Sequence, residues 1–148
     1  MEKTLVLIKP DAMIKKLAGT IISELDNLGL NMIGLKLIKI PKELAEKHYE
    51  EHKEKPFYNE LIEYITGNFH DKTNVIAMVY SGENAIEKIR ELVGKTHPDE
   101  AHPTSLRGKY GKINTKTNCQ ETVIHTSDST KSADREIKLW FSDDELVE

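Results

Sequence analysis

One cysteine, Cys119, stands in a chain of 148 residues. That excludes an intramolecular disulfide and a cysteine-rich zinc site, and it suits a reducing compartment. Long apolar runs are missing as well, and none approaches the roughly 20 residues needed to cross a bilayer. Met1 is followed by Glu2 and Lys3 and then at once by a strand-like run, without the pattern of a secretory signal. Basic charge is not in excess: 21 Lys and Arg face 25 Asp and Glu, a net charge of −4. A nucleic-acid coat or an anionic membrane face is therefore not expected as partner. No internal repeat or low-complexity segment interrupts the chain. What is present, 38% hydrophobic and 31% charged residues, is ordinary for a soluble globular protein. The length suits one domain over residues 1–148 with a real core, and a cytoplasmic protein is expected.

Thr4-Leu-Val-Leu-Ile8 is continuously apolar, as a strand buried on both faces should be. It ends at Lys9-Pro10-Asp11, where proline suits a helix start. Lys9, at the strand tip, can either snorkel to solvent or contact a phosphate. Ile14, Leu17, Ile21, Leu25 and Leu28 recur three or four apart, predicting an amphipathic helix that ends at Gly29 and is interrupted near Gly19. Leu30 to Ile40 predicts a second strand, with Ile33, Leu35 and Leu37 on one face. Helices follow from Pro41, reaching His48 and Tyr49, and from Pro56-Phe57 to Gly67. Asn68 to Asn74 reads as a surface excursion. Val75 to Tyr80 is a third strand, and Glu83 to Val93 a helix carrying Arg90. Lys95 to Gln120 lacks a sustained period, and a loop of that length is usually functional or disordered. The acidic end, Ser142 to Glu148, reads as a solvated tail. The order of elements predicts an α+β sandwich, one four-stranded sheet with helices on one side.

The stretch Glu121-Thr-Val-Ile-His-Thr-Ser-Asp-Ser129 carries the chemistry. Val123 and Ile124 suit a strand that delivers His125 to its tip, and the residues after it suit a helix N-terminus. Unpaired backbone N–H groups there make a ready phosphate site. Glu136, along the helix from Ser129 to Trp140, can fold back to hold one ring nitrogen of His125 and leave the other as nucleophile or base. A lone strand-end histidine also has a purely structural reading.

Three motifs stand together: TLVLIKPDA, THPDEAHPTSLRG, and VIHTSDS followed by SADREI. With them, from Lys3 to about Phe141, the chain resembles the nucleoside diphosphate kinases. The resemblance implies a ferredoxin-like βαββαβ fold, an antiparallel four-stranded sheet with helices packed on it. It implies metal-assisted exchange of a terminal phosphoryl group between nucleoside triphosphates and diphosphates, by ping-pong through a phosphohistidine at His125. Lys9, Arg90 and Arg107 match the cations that hold the phosphates, and Thr96 a hydroxyl donor to them. Such a set suits phosphoryl transfer, which needs charge neutralised on the phosphate oxygens. Phe57 matches the aromatic under the base, and a stacking face accepts every base. Tyr49 matches a tyrosine near the histidine, and Ser127 and Glu136 the residues that orient it. Mg²⁺ is expected to arrive with the nucleotide, with Asp128 holding its water shell. The scattered His48, His52, His70, His97 and His102 show no ligand spacing. A homo-oligomer is implied, a hexamer of dimers with a tetramer as the alternative.

The chain departs from the family pattern in places. Thr122 stands where asparagine is usual and helps bind the nucleotide, Glu121 stands where a basic residue is common, and Thr126 replaces glycine or alanine. The segments around 68–74 and 108–121 are longer than usual. Two rival readings follow, a nucleotide-binding or regulatory module with impaired catalysis and a histidine phosphocarrier acting on a protein. Retention of His125 together with Lys9, Arg90, Arg107, Ser127 and Glu136 argues against the first. Phe57 and the arginines, which suit a nucleotide pocket, argue against the second.

Overall fold

In the computed structural model, which describes residues 1–148, the first apolar run becomes β1 (Glu2–Ile8), with Leu5, Val6, Leu7 and Ile8 fully buried. A strand apolar at successive positions needs cover on both faces. Leu5 and Leu7 join one core cluster with residues of the later helices, and Val6 and Ile8 join another with Ile21, Leu25 and Ile89. Helices thus pack on both faces of the sheet, which corrects the one-sided arrangement expected. Each large apolar side chain buried this way stabilises the fold by roughly 1.5–3 kcal/mol.

β1 passes through Lys9 into α1 (Pro10–Ile14), with Pro10 in its first turn. The single amphipathic helix expected next is two: α1 and α2 (Ala18–Asp26) are separated where Lys16 takes φ 60°, earlier than Gly19. β2 (Asn31–Ile38), α3 (Lys42–His48), α4 (Tyr58–Ile65), β3 (Val75–Gly82) and α5 (Ala85–Val93) follow. The stretch without periodicity contains α6 (Leu106–Tyr110) and a ribbon of β4 (Lys112–Ile113) with β5 (Gln120–Glu121). β6 (Ile124–Thr126) and α7 (Thr130–Trp140) complete the frame.

The main sheet has the order β2-β3-β1-β6, and every pairing is antiparallel. This is the ferredoxin-like α+β fold. Its central consequence is that β6 lies beside β1, with His125 opposite Leu7 and Lys9 just beyond the strand end.

Three expectations are corrected. A bulge between Met32 and Gly34 shifts the faces of β2, so Ile33 is buried while Leu35 and Leu37 are 55% and 63% exposed. The segment 68–74 is not wholly a surface excursion, because His70 is buried and its Nε2 lies 2.7 Å from Glu121 Oε2. The acidic tail is tied down rather than free. Glu145 caps Ser142 and pairs with Lys36, and the Val147 N–H donates to the Ile33 carbonyl at 2.7 Å.

Candidate active site

Ser129 caps α7, its hydroxyl accepting from the Ser132 N–H at 3.1 Å. From there the helix returns Glu136 over the end of β6. His125 Nε2 lies 2.7 Å from Glu136 Oε1, and the Ser127 hydroxyl donates to the same oxygen at 2.9 Å. Ser127 is itself held, accepting the Leu5 N–H at 3.2 Å. A carboxylate only accepts, so the hydrogen of a neutral ring sits on Nε2 and Nδ1 keeps its lone pair. Burial, reinforced by the Lys9 and Arg107 cations, pushes the His125 pKa down to about 3. The ring is therefore neutral across physiological pH. Burial raises the Glu136 pKa, and the nearby His48 and the Ser127 hydrogen bond oppose that shift.

Lys9, at the strand end predicted for it, is buried and donates from Nζ to Thr122 Oγ1 at 2.7 Å. Burial and then Arg107 lower its pKa to about 7, against the pull of Asp11. Arg107 spends three donors on backbone carbonyls: Nε to Thr122 at 3.1 Å, Nη1 to Gly94 at 3.0 Å and Nη2 to Ile124 at 2.7 Å. Burial lowers its pKa to about 10, which leaves it charged at neutral pH. Arg90 is exposed and donates to the Asp128 carbonyl at 3.1 Å.

These groups open on a cleft of about 1140 Å³ lined by Lys9, Tyr49, Phe57, Arg90, Thr96, Arg107, His125, Asp128 and Glu136, among others. Nine of the expected site residues thus meet in one place. Phe57, 45% exposed just before α4, presents its ring to the cleft instead of joining the core. The Tyr49 hydroxyl is buried without a partner. Thr122 and Ser127 do not line the cleft: Thr122 sits behind Lys9, and Ser127 sits behind Glu136.

The structure adds residues that the sequence reading did not place here. His48, at the end of α3, packs edge-on against His125 with ring centroids 4.5 Å apart. Its Nδ1 accepts the Trp140 indole N–H at 3.1 Å, and burial pushes its pKa well below the usual value. The one available signal was spacing, since His48 stands one helical turn after the inward-facing Ala45. The expectation that Val123 is ordinary strand is also corrected. Its φ is 70°, and the Ile124 N–H bonds the Thr122 carbonyl at 2.7 Å, which makes a γ-turn. Asp11 and Tyr64 bond the amides of that turn.

His48, His125 and Glu136 bring ligand atoms within 4.8 Å of one another. They do not suit a hard cation, which prefers oxygen ligands and water. His48 Nδ1 and Glu136 Oε1 are moreover already engaged within the protein. This cluster therefore offers no direct Mg²⁺ site. Asp128 faces the cleft with its pKa lowered by hydrogen bonds from Ser132 and Ser129 and by Arg90.

The cleft sets Lys9, Arg90 and Arg107 around a neutral imidazole, a setting that suits an anionic phosphate. The family model for nucleoside diphosphate kinase matches residues 2–146. A nucleoside diphosphate kinase of Pyrococcus abyssi is 50% identical over 147 residues, covering 99% of this chain and 88% of the relative. The structure is similar to that of the Halobacterium salinarum enzyme in complex with CDP, with a TM-score of 0.89 and 40% identity over 99% of this chain and 91% of that one. It is also similar to a transition-state mimic of the Borrelia burgdorferi enzyme with bound vanadate and ADP, with a TM-score of 0.89 and 31% identity over 99% and 90% of the two chains. The chain belongs to the nucleoside diphosphate kinase family. It is an enzyme that moves a phosphoryl group between nucleotides, and kinases generally work with a divalent metal.

Proposed function

We propose that His125 carries the phosphoryl group between donor and acceptor nucleotides, and that its Nδ1 is the nucleophile. The observation that carries this reading is the Nε2 contact with Glu136, which leaves Nδ1 unpaired on a ring lining the cleft. In the first half-reaction the Nδ1 lone pair bonds to the terminal phosphorus while that phosphorus loses its bond to the bridging oxygen, and the diphosphate departs. The Nε2 proton stays between His125 and Glu136, whose negative charge balances the ring as it becomes cationic. In the second half-reaction a terminal phosphate oxygen of the acceptor takes the group, and the Nδ1–P bond breaks.

Lys9, Arg90 and Arg107 hold phosphate oxygens, joined by Thr96 and by the otherwise unpartnered Tyr49 hydroxyl. Thr122 acts through Lys9, keeping its ammonium over the end of β1. Phe57 stacks on the base and so accepts purines and pyrimidines alike. The CDP, ADP and vanadate held by relatives support nucleotides as the substrates here. Mg²⁺ bound to the nucleotide, with Asp128 near its water shell, would neutralise charge on the phosphate oxygens. The whole chain works as one domain, in the cytoplasm, where the buried thiol of Cys119 stays reduced. It forms a homo-oligomer, a hexamer or a tetramer, and the exposed Leu35 and Leu37 on the sheet's edge strand supply apolar contact surface.

Intact mass after mixing with ATP and Mg²⁺, followed by a GDP chase, tests this reading. One acid-labile phosphate, its loss to GTP and an unlabelled His125→Ala protein are expected. Nucleotide binding without labelling of the wild type would overturn it in favour of a binding module.

A further inference from the structure

We propose that Asp11 and Tyr64 are positioning residues for phosphoryl transfer, bracing the turn centred two residues before His125. The inference rests on the phosphohistidine reading above. Val123 is β-branched and fully buried, yet it holds φ 70°. Such a residue avoids that region unless its surroundings impose it.

The imposing contacts converge on the two amides of the turn. The Val123 N–H donates to Asp11 Oδ2 at 3.1 Å, and the Thr122 N–H donates to the Tyr64 hydroxyl oxygen at 3.0 Å. The Tyr64 hydroxyl donates in turn to Asp11 Oδ1 at 2.5 Å, closing a loop of hydrogen bonds. On the opposite side, the Val123 carbonyl accepts the Lys9 N–H at 2.9 Å. Asp11 and Tyr64 are 1% and 2% exposed. Buried polar groups of this kind must find partners, and both turn their side-chain oxygens to this one site.

Neither residue lines the cleft, so neither meets the nucleotide. Their effect reaches the reaction through two groups that do line it. The turn points Thr122 Oγ1 at Lys9 Nζ, 2.7 Å away. It also hands the chain to β6 in the register that sets His125 opposite Leu7. If Val123 relaxed to negative φ, the chain would leave the turn in another direction, and Lys9 and His125 would lose their common reference. Two buried side chains with no direct role in the chemistry thereby set the distance between nucleophile and cation.

The test is the rate of His125 phosphorylation in single turnover with ATP and Mg²⁺, for Tyr64→Phe, Asp11→Asn and the double variant. Each single change should lower the limiting rate about tenfold or more, and for Tyr64→Phe, which leaves the Asp11 charge beside Lys9 in place, half-saturation should stay within about twofold of wild type. The double should be no slower than the worse single, because both break one unit. Val123→Gly added to Tyr64→Phe should restore at least about threefold, because glycine reaches positive φ freely. Single variants at wild-type rate, a multiplicative double, or a raised half-saturation with an unchanged rate in Tyr64→Phe would each overturn the brace. Should Asp11→Asn fail to fold, Tyr64→Phe with and without Val123→Gly decides alone, and absence of rescue counts against the brace. A wild type that labels, beside an unlabelled His125→Ala, keeps the phosphohistidine reading standing whatever the brace variants do. An unlabelled wild type overturns both.

Discussion

His125 Nε2 and Glu136 Oε1 stand 2.7 Å apart, and that oxygen also accepts the Ser127 hydroxyl. The pair fixes the tautomer, and in the proposed transfer Glu136 supplies the negative charge that a phosphorylated ring needs. Glu136→Gln keeps the size and an acceptor but removes the charge. A hydrogen bond to a charged group is worth about 1.5–3 kcal/mol, so the labelling rate should fall about 10- to 100-fold at unchanged half-saturation. Ser127→Ala removes one of the donors to Glu136 and should cost less. Rapid-quench measurement of phosphoenzyme formation separates the two, and equal losses would deny Glu136 its electrostatic part.

The rate should depend on pH through Lys9 before it depends on His125. In the proposed mechanism the nucleophile needs a neutral ring, which His125 has above about 3, and the phosphate needs a charged Lys9, which the free enzyme loses above about 7. Accordingly kcat/KM should decline as pH rises through about 7, while kcat should decline at higher pH because bound phosphate holds the proton on Lys9. A kcat/KM profile flat from pH 6 to pH 9 would remove Lys9 from the charge balance.

Much of this site was legible because it sits where strands end. Leu5 to Ile8 is apolar at every position since both faces are covered, and the break in that pattern exposes Lys9 as the next polar residue. His125 is marked the same way, between Ile124 and the capping residues that start α7. Less of the support could be read. An apolar Val123 looks like strand, and its positive φ becomes visible only when Asp11 and Tyr64 arrive from distant segments. His48 reaches His125 through the packing of α3 on α7, a contact that no local period encodes. The bulge in β2 and the pairing of His70 with Glu121 are likewise products of tertiary contact.

Trp140, the one tryptophan, is joined to His125 by a short path. Its indole N–H bonds His48 Nδ1, and the His48 ring packs on His125. Adding a phosphate to His125 changes the charge beside that path. Tryptophan fluorescence should therefore shift when ATP and Mg²⁺ are mixed with the wild type and stay constant in His125→Ala. A shift of equal size in the variant would trace the signal to nucleotide binding alone.

Phe57 offers a face and no edge-reading group, so its loss should weaken every base alike. Stacking is worth about 1–3 kcal/mol per base, which predicts that Phe57→Ala raises KM roughly 5- to 150-fold with kcat little changed. Diphosphates of adenosine, guanosine and cytidine should be affected in the same order of magnitude. A penalty confined to one base would instead point to recognition by hydrogen bonds.

Lys9 sets function against stability. Its folded pKa of about 7 lies below the ordinary 10.5, with burial as the main cause. Between those values the unfolded chain binds more protons, so this residue makes stability rise with pH across that window, and its full cost is present below about 7. Lys9→Met removes the buried charge and keeps most of the volume, at the expense of the Thr122 hydroxyl's partner. The variant should be inactive yet melt roughly 3–6 °C above the wild type at pH 6, the advantage shrinking toward pH 10. Thermal melts of both proteins across that range give the answer. A variant less stable at pH 6 than at pH 10, relative to wild type, would mean that the ammonium is better compensated in the fold than its burial implies.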